Sequence, residues 1–114
     1  MIVNHVGLCV ADLARAQRFY EQVLGFRFWR DLAPPDAMVS TLIDVPEPVG
    51  VRVVYLRLGD FVLELMEYTR AGSVTPARPR VMNEIGLTHL SVAVDDIDAT
   101  AARAEDHGGT VLRQ

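Results

Sequence analysis

The hydrophobic positions at the start of the chain alternate in a way that predicts a β-strand. In NHVGLCV, residues 4–10, the branched side chains Val6, Leu8 and Val10 share one side, and the other side carries His5 and two small residues. A period of two places alternate side chains on opposite faces of a strand, so the branched residues are expected to pack and His5 to point away from them. The histidine therefore stands out in a segment that is otherwise apolar or small.

After this strand the apolar spacing becomes helical. Asp12 is a suitable N-cap, and Gly25 can adopt the left-handed conformation that ends a helix. Between them the apolar residues recur at helical spacing, at Leu13, Ala16, Phe19, Tyr20, Val23 and Leu24. We predict a helix between the two caps and a second strand in FRFWRDL, residues 26–32.

Two further strands are predicted around a tight turn. VRVVYLRL, residues 51–58, and FVLELMEY, residues 61–68, flank Gly59-Asp60, a two-residue connection of the type that closes a hairpin. Residues 1–68 are thus expected to form a β-α-β-β-β module. The long proline-containing segment before the hairpin is expected to hold no more than one helical turn, in AMVSTLI at residues 37–43.

The strand and helix pattern of the first module returns near the end of the chain. Residues 5–30 and 89–114 align without gaps, with identities at His5/His89, Val10/Val94, Asp12/Asp96, Glu21/Glu105 and Gly25/Gly109. The repeat predicts a strand over 89–94, a cap at Asp95 or Asp96, a helix ended by Gly108-Gly109, and a strand beginning in TVLRQ. We therefore expect one domain, 1–114, with a first module (1–68), a linker (69–85) and a partial second β-α-β module (86–114).

Composition and charge exclude several classes of function. The chain has 114 residues, half of them hydrophobic, and a net charge of -4 with acidic and basic residues interspersed, so nucleic acid and anionic membranes are not expected partners. The single cysteine, Cys9, lies in an apolar segment and cannot form an internal disulfide. With no signal-peptide pattern at the start and no apolar run long enough to span a bilayer, the sequence predicts a cytoplasmic protein.

Three polar side chains are predicted on the non-core faces of separate strands. These are His5, His89 and Glu64, the last in FVLELMEY, where it alternates with large apolar residues. Two imidazoles and a carboxylate suit a divalent transition metal. A single strand histidine is more often a structural residue, and Glu64 alone could be a solvated residue on an open sheet face. Recurrence of the histidine at the same place in both copies favours ligation.

At this point the sequence resembles the vicinal oxygen chelate superfamily, which includes glyoxalases, epimerases, extradiol dioxygenases and antibiotic-resistance proteins. The phrases that carry the resemblance are HVGLCVADLARAQRFYEQVLGF, VLELMEY and GLTHLSVAVDDIDATAARAEDHGG. It implies an α+β fold of paired βαβββ modules whose curled mixed sheets surround a metal cleft, with the second module incomplete in this chain. His5, Glu64 and His89 take three ligand positions for a divalent ion (Zn, Ni, Co, Mn or Fe).

The resemblance also implies a function and a partner. A fourth ligand, usually a glutamate late in the second module, has no counterpart here. Further strands or a second copy in a homodimer are expected to complete the site, and the alternative is a site with three protein ligands and water. Glu64 as a ligand, and as a candidate catalytic group, favours proton-transfer isomerase or lyase chemistry on a small molecule with vicinal oxygens, like that of glyoxalase or methylmalonyl-CoA epimerase. The alternatives are an extradiol ring-cleaving dioxygenase and a non-catalytic antibiotic-sequestering protein.

Overall fold

The computed structural model describes residues 1–112, in which four strands form one mixed sheet flanked by three helices. The elements are β1 (Val6–Cys9), α1 (Leu13–Leu24), β2 (Arg27–Leu32), α2 (Asp36–Ile43), β3 (Val51–Leu58), β4 (Phe61–Tyr68) and α3 (Ile97–Asp106). The strand order is β1-β4-β3-β2, with β1 parallel to β4 and the other pairs antiparallel. The α+β class and the curled mixed sheet are confirmed, and residues 1–68 hold the expected strands and first helix in order, with α2 added between β2 and β3.

Local signals in the first module place its elements where they were predicted. The side chain of Asp12 accepts a hydrogen bond of 2.8 Å from the backbone N–H of Arg15, and Gly25 ends α1 at a φ of 73°. Gly59, at a φ of 57°, lies in the turn that joins β3 to β4. Glycine adopts positive φ without a steric penalty, so both positions suit their residues.

Apolar side chains cover the sheet on both faces. The first, which we call the α1 face, buries a cluster made of Leu13, Phe26, Val54, Leu56, Leu63 and Leu65. The second, which we call the Glu64 face, buries a cluster made of Val39, Val49, Val51, Val53, Tyr55 and Val62. Because α2 supplies Val39 to the second cluster, Glu64 lies on a face that is partly covered rather than open to solvent.

Helix α2 is longer than the sequence predicts. The expected single turn is an eight-residue helix, Asp36–Ile43. The carboxylate of Asp36 accepts hydrogen bonds from the backbone N–H groups of Val49 (3.0 Å) and Gly50 (2.9 Å) and pairs with Arg70 at 2.6 Å. These long-range contacts fix the start of the helix, and a local reading of the sequence does not contain them.

Asp36 gives the fold a dependence on acid pH. The hydrogen bond from Gly50, with those from Val49 and Arg70, holds the pKa of Asp36 below its ordinary value. Asp36 therefore contributes its full stability at pH values above its unfolded pKa of ~4. That contribution is lost as the pH falls through the folded pKa. We expect Asp36→Asn to lower stability to urea at pH 7 and to cost progressively less as pH falls through the folded pKa of Asp36. The matched control is Asp31→Asn, an exposed strand carboxylate, and a similar pH profile for both variants would contradict this role.

The second copy of the repeat forms its helix but not its strand. Helix α3 begins after Asp96, whose side chain accepts a hydrogen bond of 2.8 Å from the backbone N–H of Ala99, and it contacts α1. Residues 89–94 are not a strand, so that prediction is wrong. The predicted final strand is also absent from residues 110–112, and its last two residues lie outside the described residues. The backbone N–H and C=O groups of a helix hydrogen-bond within the helix, whereas those of a strand need a neighbouring strand. The helix of the second copy can therefore form where its strand does not.

Among the described residues, no helix combines the length and the apolar character needed to cross a bilayer.

Candidate functional site

The parallel pairing of β1 with β4 brings His5 next to Glu64. Gly7 is opposite Glu64 in the register, and His5 lies two residues before Gly7. His5 Nε2 is 3.3 Å from Glu64 Oε2, and the two side chains are 35% and 14% exposed. Two of the three predicted site residues therefore meet, at a place that solvent reaches from one side.

His5 and Glu64 are each held by a hydrogen bond to a further side chain. Nδ1 of His5 donates a hydrogen bond to Oδ1 of Asn4 at 2.7 Å, and the hydroxyl of Tyr55 donates to Oε1 of Glu64 at 2.6 Å. The rings of His5 and Tyr55 also meet edge to face, with centroids 5.6 Å apart. These contacts orient Nε2 and Oε2 toward each other, as outer hydrogen bonds do for metal-binding side chains.

Burial, together with the contact with Glu64, keeps Tyr55 in its protonated form. Burial raises the pKa of Tyr55 to about 12, with further contributions from the hydrogen bond to Glu64 and from its negative charge, and the charge of Arg30 opposes them. The phenol thus remains a hydrogen-bond donor throughout the neutral range. One oxygen of Glu64 is occupied by Tyr55, and the other faces His5.

The lack of a side chain at Gly7 leaves space beside the carboxylate. A Cβ at this position would lie 3.2 Å from Glu64 Oε2 and 3.0 Å from Met66 Cε, both closer than ordinary van der Waals contact. Any larger residue would press against the carboxylate oxygen that faces His5.

His89 does not join the pair. It is exposed, its Nδ1 is 2.8 Å from Oγ1 of Thr88, and it lines a cavity of about 330 Å³ beside β1 and β4, with Leu8 and Leu63. Within residues 1–112, no three His, Cys, Asp or Glu side chains form a group suited to a metal ion. Because residues 89–94 do not form a strand, nothing fixes His89 at the ligand position, and its role stays a prediction.

The donor atoms of His5 and Glu64 fit a shared cation. With Oδ1 of Asn4 accepting, the proton of His5 is on Nδ1, so Nε2 presents a lone pair to a carboxylate oxygen. A proton or a metal ion between Nε2 and Oε2 would satisfy both atoms. Two ligand atoms that are each ~2.1 Å from one ion lie ~3.0–3.4 Å from each other at ordinary bond angles, which agrees with the 3.3 Å observed.

Sequence reasoning missed Tyr55 as a site residue, although a signal for it was present. The two-residue turn at Gly59-Asp60 sets the register of the hairpin, and that register places Tyr55 directly opposite Glu64. Directly opposed residues on neighbouring strands share a face. A tyrosine in that position could therefore have been identified as a partner for the carboxylate.

Comparison with known proteins identifies related sequences with named activities. The chain is 33% identical over 97 residues to mitochondrial methylmalonyl-CoA epimerase of Mus musculus, covering 85% of this chain and 48% of that protein. It is 34% identical over 102 residues to 2-epi-5-epi-valiolone epimerase of an Actinomyces species, covering 87% of this chain and 55% of that one. The chain thus spans about half the length of these relatives.

Solved structures and a family model identify the fold and the family. A glyoxalase family protein from Bacillus cereus superposes with a TM-score of 0.82 at 19% identity, covering 98% of this chain and 78% of the other, which shows a shared fold. The family model described as Glyoxalase/Bleomycin resistance protein/Dioxygenase superfamily matches residues 4–114. The chain therefore belongs to this superfamily, the vicinal oxygen chelate superfamily that its sequence resembles.

Proposed function

We propose that this chain binds a divalent metal ion through His5 and Glu64 and takes part in proton transfer on a small molecule with vicinal oxygens. The observation that carries the proposal is the 3.3 Å approach of Nε2 and Oε2, with each side chain held from behind by a hydrogen bond. The names of two relatives, both epimerases, support isomerase or lyase chemistry over ring cleavage and over antibiotic sequestration. The metal can be Zn, Ni, Co, Mn or Fe.

The reaction would move a proton at a carbon beside a carbonyl group. When bound, the ion would supply positive charge that stabilises negative charge developing on the substrate oxygens. His5 holds its position through Asn4, and Tyr55 keeps one oxygen of Glu64 occupied. Glu64 would act as proton acceptor only with Oε2 released from the ion, and inversion at the carbon would need a second group that delivers a proton to the opposite face.

The second part of the chain supports a larger site. We propose that residues 1–68 are a first module, residues 69–85 a linker, and residues 86–114 part of a second module that supplies His89. The cavity lined by His89, Leu8 and Leu63 opens on the α1 face of the sheet, opposite Glu64. His89 would therefore reach the ion only with residues 86–114 packed differently, as against a second copy or further strands. Exposed apolar side chains at Ile85, Leu87 and Ile97 support a homodimer, in which a second copy would cover them.

Metal analysis of the purified chain tests this proposal. We expect near-stoichiometric divalent metal, and more than ~100-fold weaker binding in His5→Ala, because removing a ligand should exceed the 10- to 100-fold cost of losing an outer contact. His89→Ala is expected to weaken binding as well. His107→Ala is the matched control, since the His107 ring hydrogen-bonds to the carbonyl of Arg103 in its own helix and lines a cavity with α1 residues rather than with Glu64. Sedimentation equilibrium on the same preparation tests the homodimer, and a monomer mass would contradict it.

Activity assays separate the alternative functions. With metal bound, we expect exchange of the α-proton of an epimerisable thioester such as methylmalonyl-CoA in D₂O, and its loss in His5→Ala. Cleavage of catechols in air with ferrous iron would instead identify a dioxygenase. Unchanged metal content in His5→Ala, or tight antibiotic binding by metal-free protein without any proton exchange, would overturn the proposal.

A further inference from the structure

A row of polar side chains continues from the site across the sheet. Glu64 on β4 is opposite Tyr55 on β3, and Tyr55 is opposite Arg30 on β2, so these three share the Glu64 face. The register of β2 against β3 shifts between Phe28 and Arg30. An extra residue in a strand places two consecutive side chains on one face, which brings Trp29 to the same side as Arg30.

Two arginines are held beside this row by aromatic rings. The guanidinium carbon of Arg30 lies 4.4 Å from the ring centroid of Trp29 and 4.6 Å from that of Tyr55. The guanidinium of Arg57 lies 3.8 Å from the ring centroid of Trp29. Arg57 is opposite Arg27 on β2 and Val62 on β4, so it also belongs to the Glu64 face.

Neither arginine has an acidic partner among residues 1–112. Arg70 and Arg78 pair with Asp36 and Glu84, whereas Arg30 and Arg57 form neither a hydrogen bond nor an ion pair with a described side chain. This occurs in a chain with 15 acidic and 11 basic residues, in which carboxylates are in excess. Stacking covers the flat face of a guanidinium and leaves its N–H groups at the edge, which are the groups that bind carboxylates and phosphates.

We propose that Arg30 and Arg57 form a subsite for a carboxylate or phosphate group of the same small molecule that binds at His5 and Glu64. This deepens the proposed function and rests on it for the identity of the shared ligand. Arg30 and Glu64 stand two strands apart, ~10 Å at the backbone, a span that one small molecule can bridge. The aromatic contacts orient the two cations before binding, which lowers the entropy lost when the anion is bound.

The single tryptophan of the chain, Trp29, is a built-in reporter for this subsite. An anion that draws Arg30 or Arg57 away from the indole should change its fluorescence. Malonate and inorganic phosphate are titrated at constant ionic strength, with uncharged malonamide as the control ligand. We expect a saturable change with at least one of the two anions, and the tighter binder identifies the group as carboxylate or phosphate.

Three variants locate the binding. Arg30→Gln and Arg57→Gln should each weaken binding of the anion about 10- to 100-fold, since each removes a charge-assisted hydrogen bond. Arg52→Gln removes an exposed arginine of β3 whose side chain lies on the α1 face, the face opposite Glu64. This variant should bind the anion as tightly as the unchanged protein does. No saturable response to either anion, an equal response to malonamide, or unchanged binding in both Arg30→Gln and Arg57→Gln would overturn the proposal.

The titration is repeated in EDTA to separate this subsite from the metal site. Anion binding that persists in EDTA and is lost in Arg30→Gln supports the subsite even if no metal is ever found on His5. Conversely, a protein that binds metal through His5 but shows no saturable anion response overturns the subsite and leaves the proposed function in place.

Discussion

Tyr55→Phe is expected to weaken metal binding about 10- to 100-fold while the chain stays folded, because outer contacts of this kind contribute that much to metal affinity. The hydroxyl donates to Oε1 of Glu64 at 2.6 Å and fixes the orientation of the carboxylate. Phenylalanine keeps the ring that packs on the Glu64 face and removes only this hydrogen bond. The measurement is a competition titration of the metal against a chelating dye, with thermal unfolding followed in parallel.

Tyr20→Phe is the matched control for this experiment. Tyr20 packs against the cluster of the α1 face, and its ring meets Phe19 and Phe26, so its hydroxyl has no contact with Glu64. Metal affinity should be unchanged in this variant. Equal affinities for Tyr55→Phe and the unchanged protein would show that Tyr55 does not position the metal ligand.

Leu56→Ala is expected to reduce the free energy of unfolding by about 2–5 kcal/mol, the range measured for fully buried leucines. Leu56 is 0% exposed on the inner strand β3 and belongs to the α1-face cluster with Leu63 and Leu65. Truncation there leaves a cavity between the sheet and α1, because strands on both sides hold β3 in place. Urea denaturation, followed by circular dichroism, measures this change in the free energy of unfolding.

Leu58 provides a comparison within the same strand. It is 37% exposed at the end of β3, so Leu58→Ala should cost less than about 1.5 kcal/mol, because less apolar surface returns to water. Equal losses for the two variants would mean that the centre of the sheet does not carry the main apolar cluster.

The first module could be predicted because its signals are local. Asp12 and Gly25 mark the two ends of α1 whatever surrounds the helix, and Gly59-Asp60 determines both the turn and the register of the hairpin. Helix α2 could not be predicted at its full length, because Asp36 contacts residues 49, 50 and 70, which are distant along the chain.

The candidate site also has parts that the sequence predicts and parts that depend on contacts it does not show. The period-two pattern predicted that His5 and Glu64 lie on the non-core faces of their strands, and the parallel pairing of β1 with β4 brings the two side chains together. It did not predict that buried valines, Val53 and Val62 among them, share the face of Glu64. The sequence pattern did not place Arg30, which we propose as part of an anion subsite, on the Glu64 face, because the bulge near Trp29 shifts the alternation in β2 by one residue. The strand expected around His89 depends on a neighbouring strand that residues 1–112 do not provide.

The position of β1 has a consequence for how ligand binding and local order are linked. In the described chain β1 has four residues and a single neighbour, β4, and His5 lies just beyond its start. Edge strands with few backbone hydrogen bonds open more readily than the rest of a domain, so the imidazole could separate from Glu64 while the hairpin and α1 remain folded. A cation held by both side chains would oppose that fraying, because binding to the closed form alone shifts the equilibrium toward it. Occupancy of the site and closure of the sheet edge would then rise together.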